Sequence, residues 1–327
     1  MRKNDDIKKF VANEYIKVFK CNNIKNIIQL KGGTTSLVYL IETIAFKKYV
    51  IKIENFNNDS LLSIEKNTLW WEAKMLELME KISVPSPRMI HYQGKNAKNK
   101  YSYILMTYIE GVSYDILKKS CSGEEKAYIE TKIGEICSKI SSISENQFFL
   151  PFSPHKKFKN NFEFILFLFN SLLNDAKKFN ININIGNYSY KSILDILYKN
   201  KKELNDLKKL CLVHSDAWDG NILVNKNEIS IIDFSDLYFC DELMTFYFHL
   251  LNDDLNNDFF KGYGKVSLDR NEIIRIKIYR LFVLLKMFIE KEIKNFSNKD
   301  NLLWINEKIE KEIWALNECK ESRKVRY

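Results

Sequence analysis

The sequence predicts an α+β protein of two lobes, a β-rich front half joined by a short connector to a mainly helical back half. Two observations carry that prediction. Short apolar runs of strand-like content crowd the first hundred residues, whereas long stretches with apolar residues every three or four positions dominate after Gly111. Prolines, which interrupt helices, end at Pro154. At 327 residues the chain is long enough to bury a full core and to divide in two.

Taken in order, the first twenty residues have a helical period through Ile7, Phe10, Val11, Tyr15, Val18 and Phe19, without the apolar run of a signal segment. Strands are expected over 27–30, 37–42 and 46–53, with the turn Lys31-Gly32-Gly33-Thr34-Thr35-Ser36 between the first two. Residues 55–60 are expected to form a polar loop. Thr68 to Ile82 is helical along Leu69, Ala73, Leu76 and Met79, and Val84-Pro85-Ser86-Pro87 stops it. A hairpin over 89–92 and 101–108 leads into Met106-Thr107-Tyr108-Ile109-Glu110-Gly111. Helices are then expected over 124–143, 162–179, 190–210, 272–293 and 301–319, with 229–234 as one arm of a small hairpin. The expected lobes are residues 1–106 and 112–327, hinged at 107–111.

Composition excludes several classes. A hydrophobic fraction of 46% with 28% charged residues is ordinary for a globular protein. Lys and Arg total 51 against 42 Asp and Glu, a formal charge of +9, but the lysines are interleaved with acids, as in Lys308-Ile309-Glu310-Lys311-Glu312. Nucleic-acid binders cluster their charge, so no nucleic-acid partner is expected. The six cysteines show no C-x-x-C pair and read as reduced thiols. The most apolar stretches, 164–169 and 281–285, are too short for a bilayer, so the expectation is a cytoplasmic protein without a membrane partner.

The chemistry concentrates in His214-Ser215-Asp216-Ala217-Trp218-Asp219-Gly220-Asn221, set between apolar strands and followed by Ile231-Ile232-Asp233-Phe234. Asp216 and Asn221 lie five apart, and Asp233 stands at a strand end. Hard oxygen ligands on adjacent segments suit Mg²⁺, which is held by few carboxylates plus phosphate oxygens. Lys52, alone, is an ordinary solvent-facing strand lysine. Paired with Glu72, twenty residues on in a helix, it has the spacing of a clamp on the α- and β-phosphates of a nucleotide. Gly33, Thr34, Thr35 and Ser36 precede that strand, where backbone amides and hydroxyls can cover phosphates. The turn lacks the signatures of a P-loop and of the protein-kinase glycine loop, and as an isolated feature is a hairpin connection. The Thr107 carbonyl and Ile109 amide are placed to meet an adenine edge. In this reading ATP or GTP is the donor. Asp216 orients the acceptor hydroxyl and takes its proton, Asn221 and Asp233 hold Mg²⁺, and His214 braces the loop.

On these residues the chain resembles the aminoglycoside phosphotransferase and choline kinase-like superfamily, which has a protein-kinase-like fold. The resemblance runs from about Leu30 to His249 and includes Trp71-Glu72-Ala73, Val84-Pro85-Ser86-Pro87-Arg88 and Ile109-Glu110-Gly111. It implies that Asp241 is a bracing carboxylate. Cys240 and Glu242 stand where the family usually has Gly and Pro, and Thr245 where it often has Asp. A protein kinase is disfavoured: no proline follows Asp233 to form an A-P-E anchor, Ser215 replaces the Arg of H-R-D, and Ser235 the Gly of D-F-G.

The resemblance implies a small hydroxylated acceptor facing Asp216. For a polycation such as an aminoglycoside antibiotic, Asp219, Asp236, Glu242 and Asp253 are the candidate carboxylates. Trp218, Tyr238 and Tyr247 offer instead an aromatic cage for a quaternary ammonium. Three readings stay open: an aminoglycoside-type phosphotransferase, placed first; a metabolic kinase for choline, ethanolamine, a sugar or an amino alcohol; and a catalytically silent kinase-shaped binding protein.

Overall fold

The computed structural model describes residues 2–30, 35–54, 60–96, 101–185, 188–247, 258–265, 267–293 and 299–321. The chain opens with helix α1 (Arg2–Phe19), strands β1 (Ile24–Gln29), β2 (Ser36–Thr43) and β3 (Lys48–Glu54), helix α2 (Leu69–Lys81), and strands β4 (Met89–Gln93) and β5 (Tyr103–Thr107). Next come β6 (Val112–Ser113), helices α3 (Tyr114–Leu117), α4 (Gly123–Ile140) and α5 (Asn161–Lys178), the hairpin β7 (Asn184–Ile185) and β8 (Tyr188–Ser189), and helices α6 (Tyr190–Lys199) and α7 (Lys201–Leu204). Strands β9 (Leu210–His214), β10 (Ile222–Asn225), β11 (Glu228–Ile231) and β12 (Leu237–Asp241) follow, then helices α8 (Asp258–Tyr263), α9 (Arg270–Ile293) and α10 (Lys299–Glu321). The result is an α+β fold.

Two compact units result, and the chain passes between them more than once. Unit 1 comprises Met1–Asn58, Asn67–Cys121 and Trp218–Asp236; unit 2 comprises Asp59–Lys66, Ser122–Ala217 and Leu237–Tyr327.

Unit 1 is built on an antiparallel sheet of order β1-β2-β3-β5-β4. Side chains alternate across a strand, so neighbours on β3 serve different faces. Ile51 and Ile53 join Tyr39, Ile41, Tyr103 and Leu105 in a core sealed by Ile7, Val11 and Tyr15 of α1. Each such burial contributes about 1.5–3 kcal/mol. Lys52, between them, faces the other way. A second sheet, β11-β10-β6, belongs to the same unit. Its β6 edge is preceded by Gly111 (φ +156°), where a Cβ would crowd the Val224 backbone, 3.0 Å from its carbonyl oxygen.

Unit 2 is helical around the two-stranded pair β9–β12, in register Leu237↔His214 to Asp241↔Leu210. Helix α4 starts at a capping box, Ser122 accepting from Glu125 N–H and Glu125 accepting from Ser122 N–H. It crosses α8 so closely that a Cβ at Gly134 would run into the Phe259 carbonyl, and one at Gly262 into the Thr131 carbonyl. Helix α5 buries Phe164, Leu168, Phe169, Leu172 and Leu173, and Phe169 meets Phe282 of α9 at a ring separation of 5.5 Å.

The structure departs from the sequence expectations in several places. The helix expected over 190–210 breaks at Asn200 (φ −106°, ψ 20°), whose side chain donates to the Ile196 carbonyl. Strand β9 then begins at Leu210. The apolar period ran on because both pieces bury apolar residues, Ile196 and Leu197 before the break and Leu204 after it. The strand expected to reach Phe234 stops at Ile231, because Asp233 adopts a left-handed φ of +64°. Strands β6, β7, β8 and β12 and helices α3 and α8 were not anticipated. The five described cysteines are free thiols, and no described helix is long and apolar enough to cross a membrane.

Candidate active site

In unit 1 the site grows from the centre of the sheet. Lys52 pairs across β3 with Val38 of β2 and Ile104 of β5, and its ammonium is buried. A buried cation requires partners, and Lys52 has two. Its Nζ lies 2.8 Å from Glu72 Oε2 and 2.8 Å from Asp233 Oδ1. Burial works against the ammonium, but Asp233 and Glu72 outweigh it and hold its pKa above the usual lysine range. Glu72 sits in the first turn of α2, inside the unit, where it also accepts the Phe234 backbone N–H. Burial lifts its carboxyl to about 7, against the opposing pull of Lys52.

Asp233 is the partly open member, with 35% of its side chain exposed. A left-handed backbone is costly for a residue with a Cβ, although Asp tolerates it better than most. Such strain, retained where the surroundings enforce it, is a common mark of a functional position. The Ser235 hydroxyl donates to Asp233 Oδ1 at 2.9 Å. Strands β10 and β11 pair Ile222 with Ile231, and Ile232 N–H donates to the Asn221 carbonyl at 3.0 Å. The backbone therefore sets Asn221 beside the Ile232-Asp233 step, on adjacent segments.

These two residues bear on whether a cation could be held. Among the described residues no three His, Cys, Asp or Glu side chains converge as a self-sufficient metal cage. An amide oxygen and a half-exposed carboxylate fit a hard cation completed by phosphate oxygens and water, which is how Mg²⁺ is held. Asn221 and Asp233 would hold it, and the ion would supply charge neutralisation to the phosphates.

The stretch from His214 to Asn221 passes from unit 2, which ends at Ala217, into unit 1, which resumes at Trp218. In unit 2, His214 ends β9, is buried, and its Nδ1 accepts the Asp216 backbone N–H at 3.2 Å. This is a brace on the loop. Asp216 itself is half-buried. In the same unit, Asp241 of β12 accepts from Arg275 Nε and the Tyr279 hydroxyl, each at 2.7 Å, and from Leu243 N–H at 3.2 Å. In unit 1, Trp218 is 42% exposed and lies over Gly220, where a Cβ would collide with the indole.

The remaining sequence candidates fare differently. Ser36 begins β2, buried and paired with Glu54, and Thr35 directly precedes it. Thr107 ends β5, its N–H donating to the Arg88 carbonyl and its hydroxyl accepting Arg88 N–H; Ile109 follows, half-buried. Asp219 is paired with Lys118 at 3.2 Å. Asp236 closes the short helix Phe234–Asp236 and is half-buried. Glu242 is buried against Lys265 at 3.3 Å and Lys209 at 3.6 Å. Tyr238 and Tyr247 are buried in unit 2. Gly33, Thr34 and Asp253 lie outside the described residues. Sequence reasoning missed Ser235 as a donor to Asp233, for which its position two residues on was a signal. It also missed Lys118, Lys209 and Lys265, for which no local signal exists.

Comparison with known proteins bears on this arrangement. No curated protein matches the chain at the sequence level. Among solved structures, a protein described as a fructosamine-3-kinase from Haemophilus somnus 129PT superposes with a TM-score of 0.68 at 16% identity, over 94% of this chain and 96% of the other. A thermostable mutant of aminoglycoside phosphotransferase APH(4)-Ia gives 0.64 at 15% identity, over 93% and 98%. The gentamicin complex of APH(2")-IIa gives 0.57 at 18% identity, over 94% of each chain. At these identities the likeness is one of fold. The profile of the phosphotransferase enzyme family matches residues 26–270, which takes in Lys52, Glu72, Asp216, Asn221 and Asp233 alike, and the chain belongs to that family.

Proposed function

We propose that the protein transfers the γ-phosphoryl group of ATP or GTP to a hydroxyl of a small cationic acceptor, with an aminoglycoside-type antibiotic placed first. One observation carries the reading: Lys52 is held between Glu72 and Asp233, with Asn221 on the neighbouring segment. In this reading Lys52 meets the α- and β-phosphates, and Thr35 and Ser36 flank them together with the glycine turn. The 107–111 segment is the hinge, its Thr107 carbonyl and Ile109 amide meeting the base. Asn221 and Asp233 would hold Mg²⁺, which would neutralise charge on the phosphates, and Asp216 aligns the acceptor hydroxyl and receives its proton. The transition state is loose, so the rate comes mainly from positioning and charge neutralisation.

A second reading is a metabolic kinase for a sugar, choline, ethanolamine or another amino alcohol. It is favoured by the carboxylates themselves. Asp219 is paired with Lys118, and Glu242 with Lys265 and Lys209, which leaves less negative charge to hold a polycation. The test is a panel of aminoglycosides, choline, ethanolamine, sugars and ketosamines, each with Mg²⁺ and ATP or GTP, followed by mass spectrometry of the acceptor. Phosphorylated aminoglycoside supports the first reading, and turnover confined to the metabolic acceptors supports the second. Thermal shift with Mg·ATP and Mg·GTP addresses silence, since a ligand of the native state raises apparent stability. No shift with either would sink both readings.

A further inference from the structure

The connection between β3 and α2 takes an indirect route. It leaves the Lys52 strand and returns to the Glu72 helix, both in unit 1, but Asp59–Lys66 belongs to unit 2. Within that stretch Leu61, Leu62 and Ile64 are buried. Ser63 N–H and the Ser63 hydroxyl both donate to Asp175 Oδ2 of α5, at 2.7 and 2.8 Å. Glu65 closes the turn by accepting Leu62 N–H at 2.9 Å.

Asp175 is out of place by local rules. It lies in the last turn of α5, where the helix dipole disfavours a carboxylate, and it is buried. Two charge-assisted donors from one residue are what offset that position. The return to α2 has little slack. After Lys66 comes Asn67, in a left-handed conformation at φ +56°, and then Thr68, whose carbonyl accepts the N–H groups of Trp71 and Glu72. Two residues span at most about 7 Å. The first turn of α2, with Glu72 on it, is therefore hung from the segment that Asp175 holds.

We infer that Asp175 is a positioning residue for the Lys52–Glu72 pair: by holding Ser63 it fixes residues 60–66 and so presents Glu72 to Lys52. The effect on nucleotide rests on the phosphotransferase reading above, whereas the effect on α2 does not. The test compares Asp175→Ala with Asp175→Asn, whose amide oxygen still accepts both donors. In the ligand-free protein, hydrogen exchange at residues 69–74 is expected to quicken about tenfold in Asp175→Ala and to stay within about threefold of wild type in Asp175→Asn. With Mg·ATP and an acceptor that is turned over, the nucleotide KM rises about tenfold in Asp175→Ala while the acceptor KM holds. A lowered Tm with unchanged exchange at 69–74 would overturn the inference, because a merely structural tie loosens α5 alone. Should Asp175→Ala not fold, Ser63→Ala, which removes only the hydroxyl donor, is read the same way with a smaller expected change. If wild type phosphorylates nothing, the functional reading fails, and the exchange measurement still decides this one.

Discussion

Each unit holds a buried ion cluster, and the two are built to different ends. In unit 2, Asp241 and Arg275 are 1% and 0% exposed, and the carboxylate is filled by the guanidinium, a tyrosine hydroxyl and a backbone N–H. The partners of that carboxylate all come from within unit 2. In unit 1, Lys52 and Glu72 are equally buried, but Asp233 is 35% exposed and held at a left-handed φ. Two carboxylates face one ammonium there, an excess of negative charge that a cation and the phosphates it brings can use. Charge types alone do not separate a structural cluster from a functional one. An exposed, strained member does.

The largest expected effect leaves both clusters intact. Asp216→Ala should lower kcat by about 10²–10⁴-fold with the Kd for Mg·ATP nearly unchanged; retention of most activity would remove the proposed role. Next is the closed cluster. Arg275→Ala should cost about 3–5 kcal/mol in denaturant unfolding, because it strands a buried carboxylate, while the remaining folded protein binds nucleotide normally. The open cluster should respond in the reverse sense. Asp233→Gly relieves the left-handed backbone and should leave stability within about 1 kcal/mol of wild type or above it, yet abolish metal-dependent nucleotide binding in titration calorimetry. A large loss of stability there would make the two clusters alike and void the contrast.

A subtler difference is in pH. Burial raises the Glu72 carboxyl to about 7. A raised carboxyl favours its protonated form in the folded state, so its stabilising share is full below the unfolded value of 4.5 and is lost as pH rises through about 7. The clamp on Lys52 needs the ionised form. Between pH 8 and pH 6 the nucleotide KM should therefore rise while this group does not weaken the fold, and Glu72→Gln should flatten that profile. A wild-type KM independent of pH over this range would contradict the assignment. The smallest change is Ser235→Ala, which removes one hydrogen bond to Asp233 and should raise the nucleotide KM about fivefold, near 1 kcal/mol.

Much of unit 1 was legible because its signals are local. The strands around Lys52 and the helix bearing Glu72 follow from apolar content and period, and the structure pairs Lys52 with Glu72, as their spacing suggested, whereas the contact of Lys52 with Asp233, 181 positions on, was not anticipated. Other features were not legible, for identifiable reasons. The helix expected over 190–210 was one period laid over two elements, and the break at Asn200 depends on a side chain turning back to the Ile196 carbonyl. Asp219 and Glu242 looked like ligands for a cation because their lysine partners are remote in sequence. Lys118 precedes Asp219 by 101 positions, and Lys265 follows Glu242 by 23.

Residue types at short spacing thus point toward the reaction: an oxygen-rich loop, an aspartate just beyond a strand and a lysine–glutamate pair form the pattern expected of phosphoryl transfer. Tertiary structure decides which of the many charges remain available for it. It neutralises Asp219 and Glu242, seals Asp241 and Arg275, and leaves Asp233 half-exposed in a backbone conformation that local propensity does not favour. The physical reason is that desolvation and ion pairing act through space. The carboxylate that reaches solvent, and the lysine that reaches a carboxylate, are settled only when segments far apart in sequence are packed side by side.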